Sequence, residues 1–167
     1  MTVIDDVQME READFETWYR SAWPRVVRAV EVYTGDSASA PDLAADAFAK
    51  TLRRWGAPDQ PRNPTSWTIA VALNAARRAH LRRSWEKERQ PLVDESDGGQ
   101  PEVDLDLRRA IARLPTRMRK VIVLRYVVDL PDREIAVQMG ISEGTVAATL
   151  HRARARLREN LKDGSYD

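Results

Sequence analysis

The stretch Glu86–Glu102, EKERQPLVDESDGGQPE, constrains the fold of this chain more than any other segment. It holds two prolines, an adjacent glycine pair, many charges and only two aliphatic residues, Leu92 and Val93. Such a segment buries too little apolar surface to offset the entropy of ordering it, so it reads as a flexible acidic linker. It leaves two pieces, 9–85 and 103–162, with 86–102 between them. Both pieces carry helical periodicity. Neither shows a convincing period-two strand, and no internal repeat is present. The predicted fold class is therefore all-α: two small helical domains, one a three- or four-helix bundle and the other a helix-turn-helix, joined by the linker.

In the first piece, Phe15, Trp18, Tyr19, Ala22, Val26 and Tyr33 recur every three or four residues and predict a helical region over about Met9–Tyr33. Pro24 falls inside it and predicts a kink or two abutting helices. A second helix is expected over about Pro41–Trp55. Ser39 would be its N-cap, Leu43, Ala47, Phe48, Leu52 and Trp55 its buried face, and Gly56 its stop. A third starts with Asn63 as cap and Pro64 at the first position, and runs to about Ser84. In the second piece, Leu107, Ile111 and Leu114 define a short helix, followed by one over Pro115–Val128 and another over Asp132–Met139. Ser142 then caps a last helix from Glu143 to about Leu161.

Charge narrows the function. The net charge of +1 conceals blocks of −4 over 1–59, +5 over 60–89, −6 over 90–106, +7 over 107–128, −2 over 129–142 and +1 over the rest. Basic blocks separated by acidic ones suggest two surfaces that face a polyanion. The absence of cysteine excludes disulfides, thiolate chemistry and cysteine-ligated zinc. With only His80 and His151, a histidine metal site is not expected. The longest uncharged stretch, Asn63–Ala76, has 14 residues, short of the roughly 20 apolar ones that span a membrane. The acidic N-terminal residues Asp5, Asp6, Glu10 and Glu12 do not form a signal peptide. A cytoplasmic location and no cofactor are the expectations.

The segment EIAVQMGISEGTVAATL fits a helix-turn-helix. Ala136 is small where two helices approach, and Gly140 stands four residues later, where the turn needs a positive φ. Ile135, Met139, Ile141, Val146 and Leu150 would close the core. On the last helix, Val146, Leu150, Ala153, Leu157 and Leu161 step inward. Thr145, Ala148, Thr149, Arg152 and Arg156 then fall outward, with Arg154 and Arg158 on a flank. Small residues followed by Arg suit a major groove: alanine and threonine methyls touch thymine, and Arg pairs with guanine. Arg156 and Arg158 read equally as a solvated helix end.

The arrangement resembles a small sigma-70 family factor of the extracytoplasmic-function group, carrying regions two and four only. Asp42, Leu43, Asp46 and Phe48 match the pattern of the family's helix that docks on core RNA polymerase, with Ala45 where the family usually has Gln. Pro64, Trp67, Ala72, Asn74 and the basic run after them match the segment that melts and reads the promoter, with Ile69-Ala70 in place of a Tyr-Arg pair. LPTRMRKVIVLRYVVDLPDREIA and GTVAATLHRARARLRE match the region-four approach and its recognition helix, with Ala147, Ala148 and Thr149 at customarily basic or polar positions. The resemblance implies DNA contacts from Trp67, Asn74, Arg77, Arg78, Arg82 and Arg83, and from Ser142, Thr145, Ala148, Thr149, Arg152 and Arg154. It implies core polymerase and promoter DNA as partners, with an anti-sigma factor as a further one. Trp67 is open to two readings, core packing and base stacking. Two rival functions are a stand-alone helix-turn-helix regulator, which leaves the Asp42–Phe48 pattern unexplained, and a metal-dependent hydrolase using Asp42 and Asp46, which lacks a third ligand.

Overall fold

A computed structural model describes residues 3–87 and 102–163, with side chains placed over 9–82 and 106–162. Every regular element among the described residues is helical. The predicted linker falls almost wholly on 88–101, outside them. No described helix is long and apolar enough to cross a membrane.

Helix α1 (Val3–Thr34) runs unbroken through Pro24, where the sequence predicts a kink or a junction. Pro24 lies on the exposed face, so the carbonyl freed by its missing N–H can be met by water. Packing of Ala22, Val26, Ala29, Val30 and Tyr33, all buried, outweighs that single lost bond. Helix α2 (Ala40–Leu52) is shorter than expected. Ser39 holds the N-cap position, as expected, but its backbone is already helical and its hydroxyl donates to Asp36 Oδ2 at 2.6 Å instead of capping the helix. Asp36 Oδ1 accepts the N–H groups of Ala38 and Ser39 at 3.0 and 3.2 Å, so Asp36 holds the turn that leads into the helix. Leu52 is 49% exposed, and Thr51 takes the inward position beside Thr68, their hydroxyls 2.6 Å apart. The chain then turns through Arg53–Trp55 to Gly56, whose φ of +69° suits glycine.

Helix α3 (Pro64–Lys87) begins as predicted, with Asn63 Oδ1 accepting the Ser66 N–H at 3.0 Å. It continues past Ser84 into the segment read as linker. After the gap come α4 (Glu102–Ala112) and α5 (Thr116–Ile122). Helix α5 passes directly into a π-helical turn over Val123–Val127, where a plain helix to Val128 was expected. The Val128 N–H bonds to the Val123 carbonyl at 3.0 Å and closes this wider turn. Four consecutive residues, Val121 to Leu124, are buried there, more than one face of a regular helix offers. Leu107 is 40% exposed, and Ala110, Ile111 and Leu114 bury that stretch instead. Helices α6 (Asp132–Met139) and α7 (Glu143–Asp163) complete the chain.

Helices α1, α2 and α3 pack on one another; α4, α5 and α6 pack on α7. The two groups also meet, because α1 packs on α4 and on the π turn. One apolar cluster runs through both, from Val26, Ile69 and Leu73 to Leu114, Val121, Ile135 and Val146. Burying each large aliphatic side chain contributes about 1.5–3 kcal/mol. Polar bonds cross the same junction. Arg25 donates to the Val128 carbonyl, Arg119 Nη1 to the Tyr33 carbonyl at 3.2 Å, and Lys120 Nζ to Asn74 Oδ1 at 3.0 Å. Gln138 Nε2 donates to the Ser66 carbonyl at 2.9 Å.

Candidate nucleic-acid interface

The turn between α6 and α7 has the geometry the sequence asks for. Gly140 adopts φ +64° and ψ +39°, and the Ile141 N–H reaches back to the Ala136 carbonyl at 3.0 Å. Ser142 Oγ accepts the Thr145 N–H at 3.1 Å and lies 2.8 Å from Thr145 Oγ1. This side chain caps α7, so its oxygen is engaged within the helix. Val146, Leu150 and Ala153 are buried, and Leu157 and Leu161 half-buried, as the periodicity predicts.

Ala148, Arg152, Arg154 and Arg156 are exposed along α7. Arg152 Nε leans on the Ala148 carbonyl at 3.4 Å and Arg154 Nε on the Leu150 carbonyl at 3.3 Å, which leaves their Nη groups available. Thr145 is only half-exposed. Thr149, expected outward, is 3% exposed, and its hydroxyl donates to the Thr145 carbonyl at 2.7 Å. At 100° per residue it lies about 60° from Val146, so it belongs to the covered flank. It therefore offers nothing to a base in this arrangement.

The first half carries a second surface. Trp67, Val71, Asn74 and Arg78 of α3 line an open groove of about 500 Å³ with Lys50, Arg53 and Arg54 from the end of α2. Trp67 is half-buried, so it serves packing on one side and the groove on the other. The Arg54 guanidinium sits 5.4 Å from the Trp67 ring centroid and pairs with Asp59 at 3.4 Å. An aromatic face, an amide and several cations around an open groove suit an unpaired base with its phosphates. Sequence reasoning missed Lys50, Arg53 and Arg54. Their i, i+3, i+4 spacing is the signal that puts them on one side of the chain.

The structure divides the other predicted cations. Arg77 faces the junction, lining a cavity with Tyr33 and Arg119. Asn74, at the edge of the groove, is held by Lys120 across that junction. Burial, and then the nearby Arg77, lower the Lys120 pKa. Burial also lowers that of Arg119, opposed by Tyr33. Burial raises that of Tyr33, opposed by Arg119 and Arg77. Arg82 is exposed, and the Arg83 side chain lies outside the described residues.

On α2, Asp42 and Asp46 are exposed one helical turn apart and Leu43 is half-buried between them. Phe48, expected on the buried face of this helix and also part of the docking pattern, is 2% exposed. Its ring lies 4.8 Å from Tyr19, 5.3 Å from Trp18 and 5.6 Å from Trp23. It anchors α2 on α1 and leaves the acidic face to the two aspartates. Among the described residues, no cluster of three or more His, Asp or Glu side chains able to hold a metal ion includes them.

Comparison with known proteins gives the family. Residues 18–86 match the sigma-70 region 2 family and residues 104–157 match sigma-70 region 4. The RNA polymerase sigma-E factor of Streptomyces avermitilis is 30% identical over 158 residues, spanning 92% of this chain and 88% of that protein. The sigma-E factor of Streptomyces coelicolor is 31% identical over 152 residues, spanning 89% and 86%. Among solved structures, the sigma factor RpoE from Bartonella quintana, in complex with the anti-sigma factor NepR, superposes with a TM-score of 0.73. The two are 20% identical over 89% of this chain and 97% of that one, a likeness of fold. CnrH, solved with the cytosolic domain of CnrY, gives 0.70 at 21% identity, over 91% of this chain and 90% of that one.

Proposed function

The chain belongs to the sigma-70 family of RNA polymerase sigma factors, in its extracytoplasmic-function group, and from that premise we propose how its surfaces divide the work. It directs RNA polymerase to promoters. Residues 9–85 act as region two and 103–162 as region four, joined by 86–102. The exposed Asp42–Asp46 face of α2 docks on core polymerase. Arg152, with Ala148 and Arg154, enters the major groove of the upstream promoter element. The Trp67 groove, with Lys50, Arg53, Arg54, Asn74 and Arg78, takes the separated strand of the downstream element. Catalysis of RNA synthesis stays with the polymerase, in the cytoplasm. An anti-sigma factor is a further partner in this reading, by analogy with the two solved complexes.

The observation that carries this reading is the presence, on one chain, of an Arg-bearing recognition helix and a separate aromatic and cationic groove. A plain helix-turn-helix regulator has no use for the second. The direct test is run-off transcription with core polymerase. Asp46→Arg is expected to abolish association with core in a pull-down while the thermal midpoint stays within about 2 °C, since surface changes away from structural features alter stability by under about 0.5 kcal/mol. Unaltered polymerase binding by Asp46→Arg contradicts the docking assignment.

A further inference from the structure

We propose that the cavity between the two halves, walled by Tyr33, Arg77, His80, Thr116 and Arg119, binds a small oxyanion of the phosphate or phosphate-monoester class. The cavity measures about 120 Å³, room for one such group and little more. Its walls come from α1, α3 and α5, so it exists only while the halves are docked. A neighbouring cleft of about 420 Å³ shares Tyr33, Arg77 and Thr116 with it and adds Arg117 and Lys120. Among the described residues, no carboxylate lines either space. Three or more cations therefore converge at a half-buried junction without a counter-charge, an arrangement that costs free energy until an anion enters.

The donors available fit an oxyanion. Arg119 uses its Nη groups on the carbonyls of Tyr33, Ala112 and Leu114, which fixes its plane. Its Nε is buried and has no hydrogen-bond partner, an unmet donor of a kind that native interiors rarely leave. Arg77 and His80 are exposed at the rim and free to turn toward an entering group. Thr116 contributes a hydroxyl from the opposite half. Ala76 and Leu81 form the apolar part of the wall, where the organic portion of a monoester can rest. Burial lowers the pKa of both Arg119 and Lys120, and the nearby Arg77 lowers that of Lys120 further. An anion here bridges the halves and favours the docked form by mass action.

The test uses the full chain alone, with neither polymerase nor DNA, so it is independent of the promoter-reading assignment. Calorimetric titrations with inorganic phosphate and, separately, adenosine monophosphate are made at constant ionic strength set by sodium chloride. One saturable site is expected with at least one of the two, and whichever binds identifies the source. Arg77→Gln and Thr116→Val, each checked for helix content by circular dichroism, are expected to weaken it, Arg77→Gln by about tenfold or more. Arg20→Gln, a surface cation about 20 Å along α1 from Tyr33, is expected to leave it unchanged. Absence of saturable binding with both anions at millimolar concentration overturns the proposal. So does binding that survives Arg77→Gln, or that falls equally in Arg20→Gln.

Discussion

Single residues carry the sharpest physical commitments, and Gly140 is the clearest. Its φ of +64° is open to glycine and strained for other residues. A Cβ added there meets nothing within 4 Å, so crowding does not enter. Gly140→Ala is therefore expected to destabilise the chain by about 1–2 kcal/mol through the backbone alone, read as a lower denaturant midpoint at unchanged slope. Gly140 was legible in the sequence because the turn leaves few alternatives, and Ser142 was legible because an N-cap needs a short acceptor. Thr149 was misread for the opposite reason. Periodicity assigns each residue an angle, but not which neighbouring element covers that angle. Thr149 lies on a covered flank, whereas Phe48, placed on the buried face by its spacing, meets three aromatic rings of α1 that spacing along α2 does not name.

Element boundaries follow local chemistry where a side chain has one available partner, and depart from it where two compete. Asn63 before Pro64 leaves no ambiguity, and α3 starts there. Before α2, Ser39 holds the cap position but Asp36 competes for its hydroxyl, its carboxylate accepting that hydroxyl and two N–H groups of the preceding turn at once. Asp36→Ala is expected to cost about 1 kcal/mol in chemical denaturation, and Ser39→Ala clearly less, although Ser39 immediately precedes the helix. A larger loss in Ser39→Ala contradicts this account of the start of α2. The π turn after Ile122 was not legible, and the spacing of Lys50, Arg53 and Arg54 shows that they share a side but not that they border a groove, for a related reason. Both are set by what packs alongside: α1 and α5 around the π turn, and α3 beside the end of α2.

At the scale of the whole molecule, the two helical groups share one apolar cluster, and Asn74 of the groove is bonded to Lys120 of the other half. The polar contacts of Ser66 with Gln138 and of Asn63 with Glu134 lie at the same junction, at the start of α3. Full access to the groove therefore requires the junction to part, and promoter binding belongs to the holoenzyme. The charge blocks of the sequence suggested two polyanion-facing surfaces. Of the two basic blocks, only 60–89 supplies the groove, with Arg78, while 107–128 turns Arg119 and Lys120 toward the junction. The docking of the two halves arises from complementary shape, which composition does not encode. The account rests on those two surfaces reading DNA differently, one by base edges and one by the backbone of a separated strand. The most direct measurement is binding of holoenzyme to a promoter library mutated separately in its upstream and downstream elements, over a range of salt. Arg152→Ala is expected to cost about 1–3 kcal/mol and relax preference at one upstream position, while Arg78→Ala weakens all promoters alike and lowers the salt slope by about 1. Equal loss on every sequence in Arg152→Ala, together with an unchanged salt slope in Arg78→Ala, contradicts it.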